Sequence, residues 1–166
     1  MFNKTAIAIC ASLIALNASA VDIPITGNVE SKCVVTTDKV GVYGNPTANV
    51  LSTDQVDGGV EPVVRYDVIL ANAYKAVIAH PNSFSTSPQL SDTVTWTGET
   101  SVEAVSDALM SDYDTQKITY ENVTEVDLTI EGSTWFKISS KADYGFNKAL
   151  PGGNYTSIVE ASCIAI

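Results

Sequence analysis

The chain contains one histidine, and its surroundings decide how much acid–base or nucleophilic chemistry the sequence predicts. His80 lies in the stretch AHPNS, where a proline follows it and turn-forming residues surround it. No Gly-x-Ser-x-Gly motif is present, so a Ser-His-Asp set would depend on this histidine alone. A histidine without a second ligand or a nucleophile beside it favours a solvated loop position. The sequence therefore predicts no histidine-based catalytic site.

Carboxylates are the second residue type that could carry chemistry. Asp112 and Asp114 are close together in SDYDTQ, but this stretch lacks the glycine and the distant glutamate of an EF-hand loop. A solvated acidic loop is the favoured interpretation. A glycosidase pair could be drawn from the nineteen acidic residues, yet no two of them are singled out by their spacing. We predict a protein that is not an enzyme and has no metal or cofactor.

The first twenty residues, MFNKTAIAICASLIALNASA, have the pattern of a secretory signal peptide. One lysine precedes an apolar run that ends near Leu16, and small residues lead up to Ala20, where we expect cleavage. The apolar run is shorter than the roughly 20 residues that cross a bilayer, which disfavours a retained anchor. We expect Cys10 to be removed with residues 1–20.

Two cysteines then remain, Cys33 and Cys163. Secreted chains enter an oxidising compartment in which such a pair normally forms a disulfide. We predict this disulfide, with two free buried thiols as the alternative. It would connect the start of the folded body to its last strand.

Charge and length narrow the classes of partner. Loss of Lys4 with the signal leaves eight basic and nineteen acidic residues, a formal charge of 8 − 19 = −11. Such a chain is repelled by phosphate backbones, so we predict no nucleic-acid partner. The remaining 146 residues (166 − 20) suit one domain.

The body has the pattern of many short antiparallel strands. Apolar residues alternate with polar ones in VVRYDVIL, TEVDLTI and TVTWTG, and turn-forming stretches such as YGNPTAN and LPGGN separate the runs. The alternation places three sets of side chains inward: Val64, Tyr66, Val68 and Leu70; Val126, Leu128 and Ile130; and Val94 with Trp96. These strands predict an all-β sandwich.

One segment departs from the strand pattern. Val102, Val105 and Leu109 have helical spacing in ETSVEAVSDALMSD, and Thr100 with Glu103 matches a capping box. We predict a short helix over residues 99–112.

Both ends of the body have strand-like alternation. VDIPITGNVESKC, from Val21 to Cys33, alternates apolar and polar residues and has Gly27 in its apolar row. The segment PGGNYTSIVEASCIAI predicts a last strand with Tyr155, Val159 and Ala161 on one face. A strand in that position has backbone groups that need a partner.

These two ends together resemble the subunits of bacterial chaperone–usher fimbriae, the pilins. The resemblance covers about thirty residues: an alternating N-terminal extension with a glycine and then a cysteine, and a Pro/Gly turn leading into a Tyr-initiated last strand. It implies residues 1–20 as signal, residues 21–30 as a donor-strand extension, and residues 31–166 as the pilin domain. The implied fold is an incomplete immunoglobulin-like β-sandwich that a donor strand from another subunit completes.

The resemblance also implies partners and site residues. The inserting side chains would be Ile23, Ile25, Gly27 and Val29, with the glycine at a position too shallow for a side chain. The edge that receives a chaperone or donor strand would include six residues: Tyr155, Ile158, Val159, Ala161, Ile164 and Ile166. The implied partners are neighbouring subunits, a periplasmic chaperone, an outer-membrane usher and a host glycan or protein receptor at the cell surface.

Two other functions stay open at this stage. The same sandwich could be a fimbrial tip or a free carbohydrate-binding module, or the chain could be a secreted hydrolase with an unrecognised carboxylate pair. Strand patterns around both tryptophans favour the core over a sugar-binding surface. The aromatic candidates for stacking on a sugar are Trp96, Trp135, Tyr113 and Tyr144.

Overall fold

A computed structural model describes residues 24–28, 32–120 and 122–166 of the chain. It confirms the all-β class, since the described residues form antiparallel strands and only short helices. The three helical segments are 3-10 turns at Gln55–Asp57 and Ala108–Asp112 and a four-residue helix α1, Tyr113–Gln116. The strands are β1 Cys33–Lys39, β2 Gly44–Thr47, β3 Val50–Ser52, β4 Val63–Val68, β5 Tyr74–Ala79, β6 Thr95–Val105, β7 Ile118–Tyr120, β8 Val123–Leu128, β9 Gly132–Asp143 and β10 Glu160–Ala165.

The first sheet is organised around β9. The first half of β9 pairs with β4 and its second half with β3, while β6 pairs along almost the whole opposite side. Strand β1 lies outside β4, and β2 lies outside β3. Strand β1 is therefore at an edge of this sheet.

The second sheet has the order β10-β5-β8-β7, and all its pairings are antiparallel. Its edge strand β10 pairs with β5 from Glu160↔Ala79 to Ala165↔Tyr74. The predicted last strand is confirmed, but regular pairing begins only at Glu160. Thr156 makes a separate bridge to Thr86.

The two sheets share one apolar core. Tyr66 and Phe136 of the first sheet are almost fully buried, as are Ile78 and Leu128 of the second, and they belong to one packed cluster. The Tyr66 hydroxyl donates a hydrogen bond to the Val77 carbonyl at 3.1 Å, which ties β4 to β5. The inward positions that alternation predicted for Tyr66 and Leu128 are therefore correct, because one face of each strand meets the opposite sheet.

Three predictions that were based on strand and helix patterns are wrong. The helix expected over residues 99–112 is a strand up to Val105, and the helical turns begin only at Ala108. Leu70 is exposed, because β4 ends at Val68. Trp96 and Trp135 are half-buried and do not belong to the buried core.

The helical turns between β6 and β7 contribute two buried side chains to the core. Met110 and Tyr113 are almost fully buried, and the Tyr113 ring stacks on Phe136 with 6.5 Å between centroids. The Asp107 carboxylate accepts a hydrogen bond from the Leu109 amide at 2.9 Å and caps the first turn. The cap is thus Asp107 and not the predicted Thr100.

The predicted disulfide is confirmed. Cys33, the first residue of β1, is bonded to Cys163 of β10, so the bond joins edge strands of the two sheets. Residues 31–166 form one compact unit. Within the described residues, no helix has the length and apolar character needed to cross a membrane. The predicted signal peptide, residues 1–20, lies outside the described residues.

Candidate functional site: a groove between two sheet edges

An open groove with a cavity volume of about 640 Å³ lies between the two sheets at the edge that β1 and β10 share. One wall is formed by residues between 37 and 43, at the end of β1 and in the segment after it. The other wall is formed by residues 153–159 and Ala161, which lead into β10 and continue along it. Each wall therefore combines part of an edge strand, β1 or β10, with the connecting segment next to it.

The floor of the groove is the apolar core itself. Val64 of β4 and Ile138 of β9 line it and are buried members of the core cluster. Leu51 of β3 is buried and lines it as well. On the second wall, Val159 and Ala161 are partly buried and pack against the same cluster. The groove thus opens directly onto the hydrophobic core.

The disulfide sets one end of the groove. The Cα atoms of Cys33 and Cys163 are 6.3 Å apart. A strand lying between two others needs about two strand spacings, roughly 9.6 Å, between its neighbours. No strand fits between β1 and β10 at the disulfide, so an extended occupant would have to end before it.

Tyr43 crosses the groove farther along. Its hydroxyl lies 2.6 Å from Ser157 Oγ in the second wall and 3.0 Å from Ser140 Oγ on the inward face of β9. Phe84 supports this region by edge-on ring contacts with Tyr43, Trp96 and Tyr155, at centroid distances of 6.5, 4.8 and 5.0 Å.

The predicted residues of the last strand divide into two groups. Tyr155, Ile158, Val159 and Ala161 line the groove. Ile164 and Ile166 do not line it and have exposed side chains. The sequence pattern gave no indication of the opposite wall, because Tyr43 begins the turn-forming stretch YGNPTAN and no strand pattern covers Gly41 before it.

Of the four predicted inserting residues, two lie in the described part of the chain. Ile25 is 97% exposed, and no atom lies within 4 Å of the position that a Cβ atom on Gly27 would occupy. Ile23 and Val29 lie outside the described residues.

His80 is half-buried, which corrects the predicted solvated position. Its Nε2 atom lies 3.0 Å from Thr100 Oγ1 of β6. Burial lowers the pKa of His80, the Lys117 ammonium adds to this shift, and a backbone group of Ser139 opposes it. Among the residues that the structure describes, no cluster of three or more His, Cys, Asp or Glu side chains could hold a metal ion.

The acidic and aromatic residues that the sequence offered as candidates do not form one site. Asp114 accepts a hydrogen bond from the Val102 amide at 2.8 Å, so its carboxylate binds the backbone of β6. Tyr113 and Tyr144 are buried. The Arg65 guanidinium lies over the Trp135 ring at 5.8 Å from its centroid. These aromatic side chains therefore do not present a shared open face to a sugar.

Comparisons with known proteins find no relative of this chain. No protein-family model, no curated protein and no solved structure matches the chain.

Proposed function

We propose that this protein is a structural subunit of a chaperone–usher type fimbria that polymerises by strand exchange between copies. The observation that carries the proposal is the groove between β1 and β10, whose floor is the hydrophobic core. In the proposal, the two sheets are an immunoglobulin-like sandwich that lacks one edge strand. Residues 21–30 of a second copy supply that strand by β-strand addition.

The length of the groove supports an extended occupant. The second wall runs from Gly153 to Ala161, which is eight residue steps or at most about 26 Å at roughly 3.3 Å per residue. The predicted extension from Val21 to Glu30 is nine steps long, or about 30 Å when extended. One such segment therefore fills the groove, and the disulfide prevents it from running farther.

The chemistry of the extension also suits the groove. Ile23, Ile25 and Val29 share one face with Gly27, and in a strand this face would point to the apolar floor. Full burial of each branched aliphatic side chain contributes about 1.5–3 kcal/mol. Pro24 has no N–H group, so the inserted strand would make one main-chain hydrogen bond fewer.

The remaining parts of the proposal rest on the resemblance of the two chain ends to pilins. A periplasmic chaperone would occupy the groove before assembly, and an outer-membrane usher would exchange it for the next subunit. The product would be a fibre at the cell surface that contacts a host glycan or protein.

Gly27 provides a sharp test of the proposal. A Cβ atom added at Gly27 would have no atom beyond its chain neighbours within 4 Å, so we expect Gly27→Leu to leave the unassembled subunit unchanged. In the groove, the added side chain would be overpacked at a shallow position at a cost of about 1–3 kcal/mol. We expect at least about a fivefold loss of fibres, counted by electron microscopy of cells that produce the protein.

Asn28→Leu is the matched control, because residue 28 would lie on the opposite face of the inserted strand. Its fibre count should stay near that of the unmodified protein. Normal fibre formation by Gly27→Leu would contradict the assignment of residues 21–30 as the inserted strand.

A further inference from the structure

The hydrogen bonds of Tyr43 differ in what they connect. Tyr43 directly precedes β2, and Ser140 lies in β9, and both strands belong to the first sheet. Their hydrogen bond at 3.0 Å therefore does not cross the groove. Ser157 belongs to the opposite wall, so its bond to the Tyr43 hydroxyl at 2.6 Å spans the groove. Tyr43 is thus anchored on one side and joined to the other.

The bridge lies within the length of the groove. Gly153 and Asn154 line the groove before Ser157 in the chain, and Val159 and Ala161 line it after Ser157. A strand that fills the whole groove must therefore pass the bridge. Because Ser140 is buried on the inward face of β9, the Tyr43 hydroxyl lies near the floor, where an inserted side chain would point.

The surroundings of Tyr43 keep it in this position. The edge-on contact with Phe84 holds its ring, and Phe84 itself packs against Trp96 and Tyr155. Thr156 is paired with Thr86 through main-chain hydrogen bonds, which keeps the neighbouring residue Ser157 close to the segment that carries Phe84. The bridge therefore has support on both walls.

We propose that Tyr43 is a gate for the groove, and that its bond to Ser157 slows the entry of a strand. This inference rests on the proposed function of the groove as a strand acceptor. Entry requires the hydroxyl to leave Ser157 before an incoming side chain can reach the floor. Side-chain hydrogen bonds of this kind change an equilibrium or a rate by about fivefold.

The gate is tested with a fluorescent peptide of the sequence VDIPITGNVE, residues 21–30, added to the full chain. The association rate is measured by fluorescence anisotropy. Tyr43→Phe removes the hydroxyl but keeps the ring against Phe84, and Ser157→Ala removes only the partner across the groove. We expect each variant to bind the peptide about fivefold faster than the unmodified chain.

Two further variants separate the gate from a general loosening of the fold. Ser91→Ala removes a similar serine–tyrosine hydroxyl contact, 2.9 Å from Tyr144, outside the groove lining, and its association rate should not change. The double variant Tyr43→Phe/Ser157→Ala should be no faster than Tyr43→Phe alone, because both changes break the same bond. If Tyr43→Phe does not fold, Ser157→Ala decides the question.

The possible failures are distinguishable. An unchanged association rate for Ser157→Ala, with the peptide still bound, overturns the gate and leaves the proposed function standing. Absence of peptide binding in the unmodified chain and in every variant overturns both.

Discussion

At the scale of single residues, Tyr66 and His80 each make a hydrogen bond to a residue of a strand. Tyr66 donates to the Val77 carbonyl, and burial raises the pKa of its hydroxyl well above the usual value, so it stays protonated. His80 is held by Thr100 of β6, while the Lys117 ammonium donates to the Thr100 carbonyl on the same residue. These contacts connect elements that are separate in the sequence.

The lowered pKa of His80 gives the fold a pH dependence. In the unfolded chain His80 binds a proton near pH 6.5, whereas burial disfavours the charged ring in the folded state. The unfolded state therefore binds more protons as the pH falls below about 6.5, and stability decreases there. Each unit of pKa difference corresponds to about 1.4 kcal/mol.

This dependence is measured by urea unfolding at pH 7.5 and pH 5.5. We expect the unmodified chain to lose more stability over this interval than His80→Gln, which cannot titrate. Equal losses in both proteins would show that His80 is not responsible.

At the scale of secondary structure elements, alternation located the strands that meet the core on one face. Val126 and Leu128 of β8 are buried as predicted, because β8 is paired with β5 and β7 and one of its faces meets the first sheet. Leu70 continued the alternation of β4 but is exposed, because the chain bends after Val68 and Asn72 has a φ of 60°. Periodicity alone does not show where a strand ends.

Strand β6 shows why a helical pattern misled the prediction. Val102 and Val105 fit a helical spacing, but residues 95–105 pair with β9 over nearly the whole length of that strand. Pairing with β9 makes this segment part of a packed sheet, whereas a short isolated helix is only marginally stable in water. The irregular register between Val102 and Ala104 disturbs the simple alternation and removed the sequence signal for a strand.

The disulfide between β1 and β10 is expected to contribute strongly to stability. It closes a loop over a separation of 130 residues, for which the chain-entropy model gives about 4–5 kcal/mol as an upper value. Replacement of Cys33 and Cys163 by serine should lower the free energy of unfolding by up to this amount. The measurement is urea unfolding at neutral pH.

Reduction of the unmodified chain with dithiothreitol is the control for this double variant. It should produce a loss of similar size, because it breaks the same bond without changing the side-chain volume. A loss below about 1 kcal/mol in both experiments would contradict the stabilising role.

At the scale of the whole molecule, only one wall of the groove was visible in the sequence. The strand alternation that continues into β10 identified Val159 and Ala161, which pack against the core. The wall with Gly41 and Tyr43 is formed by a segment that resembles an ordinary loop. Ser140, whose hydroxyl contacts that of Tyr43, lies 97 positions farther along the chain. Such a wall depends on tertiary packing, which a local pattern does not contain.

The central claim is that residues 21–30 of one copy fill the groove of another. It is tested most directly by native mass spectrometry of the full chain mixed with an excess of a chain that lacks residues 21–30. The shortened chain keeps its groove but has no extension to donate. We predict that it is monomeric alone, that the full chain alone forms a ladder of oligomers, and that the mixture forms pairs of one full and one shortened chain. A shortened chain that forms the same ladder by itself, or a full chain that never pairs with it, would contradict the claim.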